Sequence, residues 1–381
     1  MGRQRRRYQL RHPELNRLVE ELVERACEEY GSSAGAEFVR ELIVSSLRML
    51  REERSTGELK LVSSAVKELR HALAVFGPYE HIRKVSVFGS ARTPKTAPAW
   101  QQAYEFAERM SAAGWMTITG AGDGVMGAAQ AGAGRDASFG VNISLPFEQH
   151  ANETIRGDPK LMNFRYFFTR KVMFVKESHA VALLPGGFGT HDEGFEALTL
   201  IQTGKSQIMP VVFLDAPGGS YWKDWEAWAD ARLRGEGLIG EHDGSLFTVT
   251  DDLERAVDEV LGFYANYHSS RYVGDRLVLR LLEAPNEAQL AALNDEFSDL
   301  LAKGGLTLRG ALSQEGGAFP DLPRMVLYFD RRSIGRLRQL IDRLNDLVAE
   351  PHEGPPASSH EVIAGAVPPQ QEAAEDAEQE L

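Results

Sequence analysis

Apolar residues recur at helical spacing over the first part of the chain. Leu15, Leu18, Leu22 and Ala26 form one stripe, and Val39, Leu42, Ile43 and Leu47 form a second. Gly31-Ser32-Ser33 separates these two helices, and Gly77-Pro78 closes the region. Stripes of this kind read as core or oligomer contacts. From Lys84 to about Tyr264 the pattern changes to short β-rich runs: 85–88, 116–119, 140–145, 180–184 and 209–214. Helical stretches at 97–113, 124–134, 168–177 and 190–203 lie between them. Strands apolar on both faces and joined by helices imply a parallel sheet covered on both sides.

The expected fold class is therefore α/β, a doubly wound Rossmann-like parallel sheet. Beyond it, strands are predicted at 276–282, 306–312 and 324–329, with helices at 286–303 and 331–349, a small α+β unit. Four parts follow: a basic arm and helices over 1–78, the Rossmann-like domain over 79–265, the α+β accessory unit over 266–350, and an acidic tail over 351–381. The tail is rich in Pro, Ala, Gln and Glu and reads as disordered.

Composition adds exclusions. No apolar run approaches a membrane span, and the arginine-rich start has no hydrophobic region behind it, which points to a cytoplasmic protein. The single cysteine, Cys27, excludes an internal disulfide and reads as a small buried helix residue. The ten histidines show no paired ligand spacing, so no metal is expected. Formal net charge is −13, but Glu353, Glu361, Glu372, Glu375, Asp376, Glu378 and Glu380 of the tail carry seven of those negative charges. Arg3, Arg5, Arg6, Arg7 and Arg11 make a basic arm that could meet nucleic acid by counterion release. Nothing downstream extends that face, so a solvated terminus is the preferred reading.

In doubly wound sheets, ligands bind outside the carboxyl ends of the strands. Three glycine-rich loops stand there. The strongest runs Leu184-Pro185-Gly186-Gly187-Phe188-Gly189-Thr190, ending a strand and opening a helix near His191. Its glycines let the backbone approach a ligand, and the free amides of a helix start suit a phosphate. Thr190 is placed to cap that helix. Asp192 and Glu196 read as complements of the helix dipole. Glu193 can instead stabilise positive charge on a ribose and orient water, as glycoside hydrolysis needs. Val87–Arg92, with Ser90, and Thr119–Gly127, with Gly120, Gly122 and Gly124, follow the first two strands. Arg170-Lys171, set among Phe164, Tyr166, Phe167, Phe168 and Phe174, offers cations for a phosphate.

Residues from about 84 to 264 resemble the LOG ("Lonely guy") family of phosphoribohydrolases, formerly labelled possible lysine decarboxylases. The matching segments are VFGSARTP (87–94), TGAGDGVMGAAQAGA (119–133), LPFEQHAN (145–152), FRYFFTRK (164–171) and LLPGGFGTHDEGFEALTLIQTGK (183–205). The resemblance implies a Rossmann-like homodimer, or a larger homo-oligomer, that cleaves AMP-type nucleotides, cytokinin riboside monophosphates included, to free base and ribose 5-phosphate. It implies Arg170 and Glu193 as the catalytic pair, with Lys171 beside them. It also implies Gly186, Gly187, Gly189 and Thr190 at the phosphate, and Ser90 with Gly120, Gly122 and Gly124 in the nucleotide pocket. The chain departs from the family at Ala121, Asp123 and His191, and in its additions at both ends.

The expected substrate is a nucleoside monophosphate, with no cofactor, no membrane and no nucleic-acid partner. A non-catalytic nucleotide- or nucleic-acid-binding protein is the rival, separated by Glu193 and Arg170, which a carrier does not require. Decarboxylation is rejected, because no lysine sits in a recognisable setting for pyridoxal chemistry.

Overall fold

Short strands rich in Val, Ile, Leu, Phe and Ala, with Lys84, Ser86, Thr117 and Thr119 buried among them, form the middle of a seven-stranded sheet in which whole strands are buried, as expected where both faces are covered. The computed structural model describes residues 8–144 and 151–348. Segment 145–150 of the motif LPFEQHAN, residues 3–7 of the basic arm and the acidic tail lie outside the described residues.

The chain divides between Lys67 and Glu68. The first unit contains α1 (Pro13–Tyr30), α2 (Ala36–Arg51) and the start of α3 (Thr56–Phe76). Pro13 suits a first helical position, where its missing N–H is no loss, and Gly31 ends α1 in the left-handed region at φ 64°. Arg40 is buried, paired with Glu37 and donating to the Tyr8 carbonyl at 2.6 Å, and the Arg48 guanidinium lies over the Tyr8 ring. The apolar stripes correct the expectation within this single chain. Val19, Val23 and Val44 are buried, whereas Leu15, Leu18, Leu22, Val39 and Leu42 face outward. Cys27 is only half-buried.

In the second unit the strands are β1 (Lys84–Phe88), β2 (Met116–Thr119), β3 (Ser138–Ile143), β4 (Leu161–Phe164), β5 (Ala180–Leu183), β6 (Val211–Leu214) and β7 (Thr248–Thr250). They are parallel in the order β4-β3-β2-β1-β5-β6-β7. The covering helices include α4 (Pro98–Ala112), α5 (Val125–Ala133), α6 (Phe167–Glu177), α7 (Phe188–Gln202), α8 (Tyr221–Trp228) and α9 (Leu253–Gly262). A Cβ at Gly132 would stand 2.0 Å from the Tyr104 carbonyl oxygen, so this glycine lets α5 lie against α4.

The C-terminal part is an antiparallel sheet in the order β10-β11-β9-β8, with β8 (Tyr267–Val273), β9 (Arg276–Leu281), β10 (Leu301–Arg309) and β11 (Arg324–Phe329). Helices α10 (Glu287–Glu296) and α11 (Ile334–Asn345) accompany it. Asn286 and Gln289 close α10 with a reciprocal capping box. Leu279, Leu281, Met325, Leu337 and Leu340 join one apolar core with Val181, Val212 and Phe213 of the parallel sheet. Asn345 accepts from the amides of Asn266 and Tyr267 and donates to the Phe263 carbonyl, tying α11 to the start of β8. Strands β4, β7 and β8 were not predicted. The helix expected over 286–303 stops at Glu296, because Leu301 onward pairs with β11.

Candidate active site at the switch of the parallel sheet

The sheet order places β1 between β2 and β5, so the chain leaves β1 toward one edge and β5 toward the other. The loops after β1 and β5 therefore flank the topological switch, where such sheets bind ligands. Backbone contacts join the three glycine loops there. Ser90 donates its amide to the Pro185 carbonyl at 3.2 Å, and Val125 donates to the Ser90 carbonyl at 3.0 Å. The Ser90 hydroxyl accepts from the Arg92 amide at 3.1 Å. Space explains two of the glycines. A Cβ at Gly124, already at φ +63°, would stand 2.3 Å from the Ser90 carbonyl oxygen. One at Gly186 would stand 2.1 Å from Thr190 Oγ1 and 3.0 Å from the Ser90 amide nitrogen.

The second loop, after β2, carries a strained residue and a brace. Ala121 occupies the left-handed region at φ 61°, a conformation costing an L side chain roughly 1–2 kcal/mol. Asn152, buried, offsets this by donating its amide at 2.9 Å and its Nδ2 at 3.0 Å to the Ala121 carbonyl. The same Nδ2 lies 3.0 Å from the Gly122 carbonyl and 2.6 Å from Gln130 Oε1. Asp123 is exposed.

Helix α7 begins at Phe188, with Gly187 at the cap position, and not near His191. Thr190 consequently does not cap it; its buried side chain sits in the first turn, under Gly186. Among the described residues the amides of Gly187, Phe188 and Gly189 donate to no acceptor. A Cβ at Gly187 or Gly189 would meet nothing within 4 Å.

Arg170 and Lys171 approach this helix start from α6. Glu68 fixes the start of α6, accepting from the Arg165 amide at 3.0 Å and the Thr169 hydroxyl at 2.6 Å. Arg170 Nη2 then lies 3.2 Å from Glu193 Oε1, and Lys171 Nζ lies 3.4 Å from Glu193 Oε2. Lys171 also reaches Asp192 at 3.0 Å and Glu196 at 2.6 Å, so these two carboxylates hold a cation as well as facing the helix dipole. Arg170 Nη1 is 4.0 Å from the position of a Gly120 Cβ, which brings the second loop to the same place. Arg170 Nε is buried without a hydrogen-bond partner in the described chain.

Burial pushes the Glu193 carboxyl above its usual range, against Lys171 and Arg170, and nearby Glu196 adds to the rise. Burial likewise lowers the Arg170 guanidinium, with Glu193 opposing. For Lys171, burial is outweighed by Glu196, Glu193 and Asp192, and its ammonium is raised. The cluster thus holds a half-satisfied buried charge pair, a state common where chemistry is done. Of the expected aromatic surround, Phe164 and Phe174 are core, whereas Phe167 and Phe168 are exposed; Phe167 flanks the Arg170 guanidinium at 5.0 Å.

Sequence reasoning missed Asn152, Glu68 and Tyr221. Tyr221, at the start of α8, donates its hydroxyl to the Gly186 carbonyl at 2.5 Å, and His191 Nε2 lies 2.7 Å from the same hydroxyl. Asp215-Ala-Pro-Gly-Gly-Ser after β6, another strand-end glycine loop, points to this region though not to Tyr221 itself. Among the described residues no group of three or more His, Cys, Asp or Glu could hold a metal ion, and no helix is long and apolar enough to cross a membrane.

Fold and site together define a Rossmann-like α/β domain with three glycine loops gathered at the switch of its parallel sheet beside the Arg170–Glu193 pair. Residues 123–260 match the model of the family described as "Possible lysine decarboxylase", a stretch containing Arg170, Lys171 and the loop through Glu193 but not Ser90, Gly120 or Gly122. The chain is similar in structure to the molybdenum cofactor binding protein of the phototrophic bacterium Rippkaea orientalis, at 19% identity over 46% of this chain and 94% of that one, TM-score 0.33. It is also similar to the molybdenum cofactor carrier protein of Chlamydomonas reinhardtii, at 20% identity over 47% and 98%, TM-score 0.34. No curated protein gives a significant match.

Proposed function

We propose that this protein hydrolyses the N-glycosidic bond of nucleoside 5′-monophosphates, AMP-like nucleotides and cytokinin riboside monophosphates among them, to free base and ribose 5-phosphate. The observation that carries the reading is Glu193, buried on the second turn of the helix that opens from the glycine loop and 3.2 Å from Arg170. A phosphomonoester at the unpaired amides of Gly187–Gly189 would draw on the helix N-terminus. Arg170, with its unpartnered Nε and remaining donors, would hold a phosphate oxygen and lend position.

Glu193 then stands where charge develops. As the bond between C1′ and the base nitrogen breaks, its electron pair leaves with the base and positive charge grows on the ribose. The carboxylate stabilises that charge and accepts a proton from the water whose oxygen bonds to C1′. The departing base takes up a proton from solvent. The same reading carries the expectation of a homodimer or larger homo-oligomer, which light scattering measures directly.

The test is incubation of the pure protein with AMP, GMP, CMP and UMP, followed by chromatography for free base and ribose 5-phosphate. Release from at least one supports the proposal. Tight nucleotide binding with no release from any of them would leave a binding protein instead.

A further inference from the structure

We infer that Tyr221, with His191 behind it, is a positioning pair that turns the donor side of the glycine loop toward a phosphomonoester dianion. The inference rests on the reading above and adds two residues to it, one of them from the loop after β6.

The backbone on either side of Tyr221 is anchored, while its ring is exposed on one side. Asp215, buried at the end of β6, accepts from the Trp222 amide at 3.0 Å, and a Cβ at Gly219 would stand 2.4 Å from Asp215 Oδ1. The phenol is thereby fixed beside the Gly186 carbonyl at 2.5 Å. Since that hydroxyl donates its one hydrogen to the carbonyl, the contact with His191 requires the imidazole Nε2 to be the donor. The imidazole is held among rings, with centroids 5.3 Å from Trp222 and 6.2 Å from Phe195. Burial raises the Tyr221 phenol and lowers the His191 imidazolium, so both are neutral near pH 7 and the relay from His191 to Tyr221 to Gly186 stays intact.

The consequence follows from the peptide unit. The carbonyl of Gly186 and the N–H of Gly187 belong to one trans plane and point in opposite directions. Holding the oxygen against Tyr221 fixes the opposite direction for the Gly187 amide, which has no acceptor among the described residues. With glycine on both sides, rotation of that plane meets little steric resistance, and the rotated plane would aim a carbonyl oxygen at the anion. Tyr221 opposes that rotation. Its hydroxyl acts on phosphate affinity through Gly186 and not on the reacting bond.

The experiment compares Tyr221→Phe, His191→Gln and His191→Phe with the unaltered full chain. Calorimetry measures ribose 5-phosphate binding, and steady-state kinetics on AMP separates KM from kcat. For Tyr221→Phe we expect binding and KM weaker by about five- to tenfold, the size of one lost hydrogen bond, with kcat within about twofold. His191→Gln, which keeps an N–H donor, should stay closer to the unaltered protein than His191→Phe. Unchanged ribose 5-phosphate binding in Tyr221→Phe overturns the inference, as does a fall in kcat with KM unmoved. If the unaltered protein binds ribose 5-phosphate yet releases no base, the hydrolase reading fails while the binding comparison still decides this one. No ribose 5-phosphate binding at all removes both.

Discussion

Two buried glutamates, each between two cations, behave in opposite ways. Glu193 meets Arg170 at 3.2 Å and Lys171 at 3.4 Å, and its carboxyl is pushed up. Glu315, in the α+β part, accepts from Arg280 Nε and Nη2 at 2.9 and 2.7 Å, from Arg324 Nε at 3.1 Å and from the Leu312 amide at 3.0 Å. Burial works against this carboxylate too, yet the Leu312 amide and the two guanidinia outweigh it and bring it down to about 2. The count of cations is the same; Glu193 also has Glu196 nearby, and far fewer hydrogen bonds reach its oxygens than those of Glu315. A carboxylate with its lone pairs taken up is a structural pin, and one left partly unsatisfied beside unpaired amides is available for chemistry.

The comparison breaks most sharply at Glu193. Glu193→Gln should retain the fold and nucleotide binding while base release falls by about a thousandfold; wild-type turnover in that variant would remove Glu193 from the mechanism. Glu315→Gln should do the reverse, leaving two buried guanidinia undercompensated and lowering stability by on the order of 3 kcal/mol in denaturant titration. Because the Glu315 carboxyl is depressed on folding, its contribution is present above its ordinary value of 4.5 and lost as pH falls toward about 2. The variant's stability should be flatter over that window.

A smaller effect is expected at the brace of the second loop. Asn152→Ala should cost roughly 1–3 kcal/mol, since the Gly122 carbonyl and Gln130 Oε1 lose a buried donor while the Ala121 carbonyl keeps only the backbone amide of residue 152. It should also raise KM for AMP more than the equally buried change Thr117→Val. Smallest is a shift in the pH profile. If Glu193 acts as carboxylate, turnover falls with acidification at a pH above that of an ordinary glutamate. Glu196→Gln removes a repelling charge and frees Lys171, so this limb should move to lower pH, by less than about one unit. Movement toward higher pH would contradict the electrostatics described.

Much of this was legible before any coordinates. The buried strands of the parallel sheet are written as short β-rich runs in which β-branched and other apolar residues outnumber polar ones, and the three glycine loops at their ends are local in sequence. Elements that depend on distant partners were not legible. Strand β4 is short and alternates in burial, β7 has three residues, and β8 carries His268, Ser269, Ser270 and Arg271, polar side chains that no apolar pattern would assign to a sheet. Strand β10 contains Gly304 and Gly305 and irregular register, so its apolar signal begins late. At the site, Arg170, Lys171 and Glu193 could be named because they sit beside motifs. Tyr221 is thirty residues beyond His191 in a run of aromatics that reads as ordinary helix packing, and only the closeness of neighbouring strand ends brings the two together.

The backward-bent alanine at 121 has a bearing on how this protein comes to be made. The residue that keeps it there arrives thirty-one positions later, with β3 already complete between them. While the chain is being synthesised, the turn after β2 lacks this brace and keeps only nearer contacts, such as the Ala121 amide on the Thr119 hydroxyl at 3.0 Å, against the cost of a left-handed alanine. A nascent chain ending short of Asn152 holds β1, β2 and β3 but neither this brace nor β5 and the loop after it, so the site is assembled only once both later segments have docked.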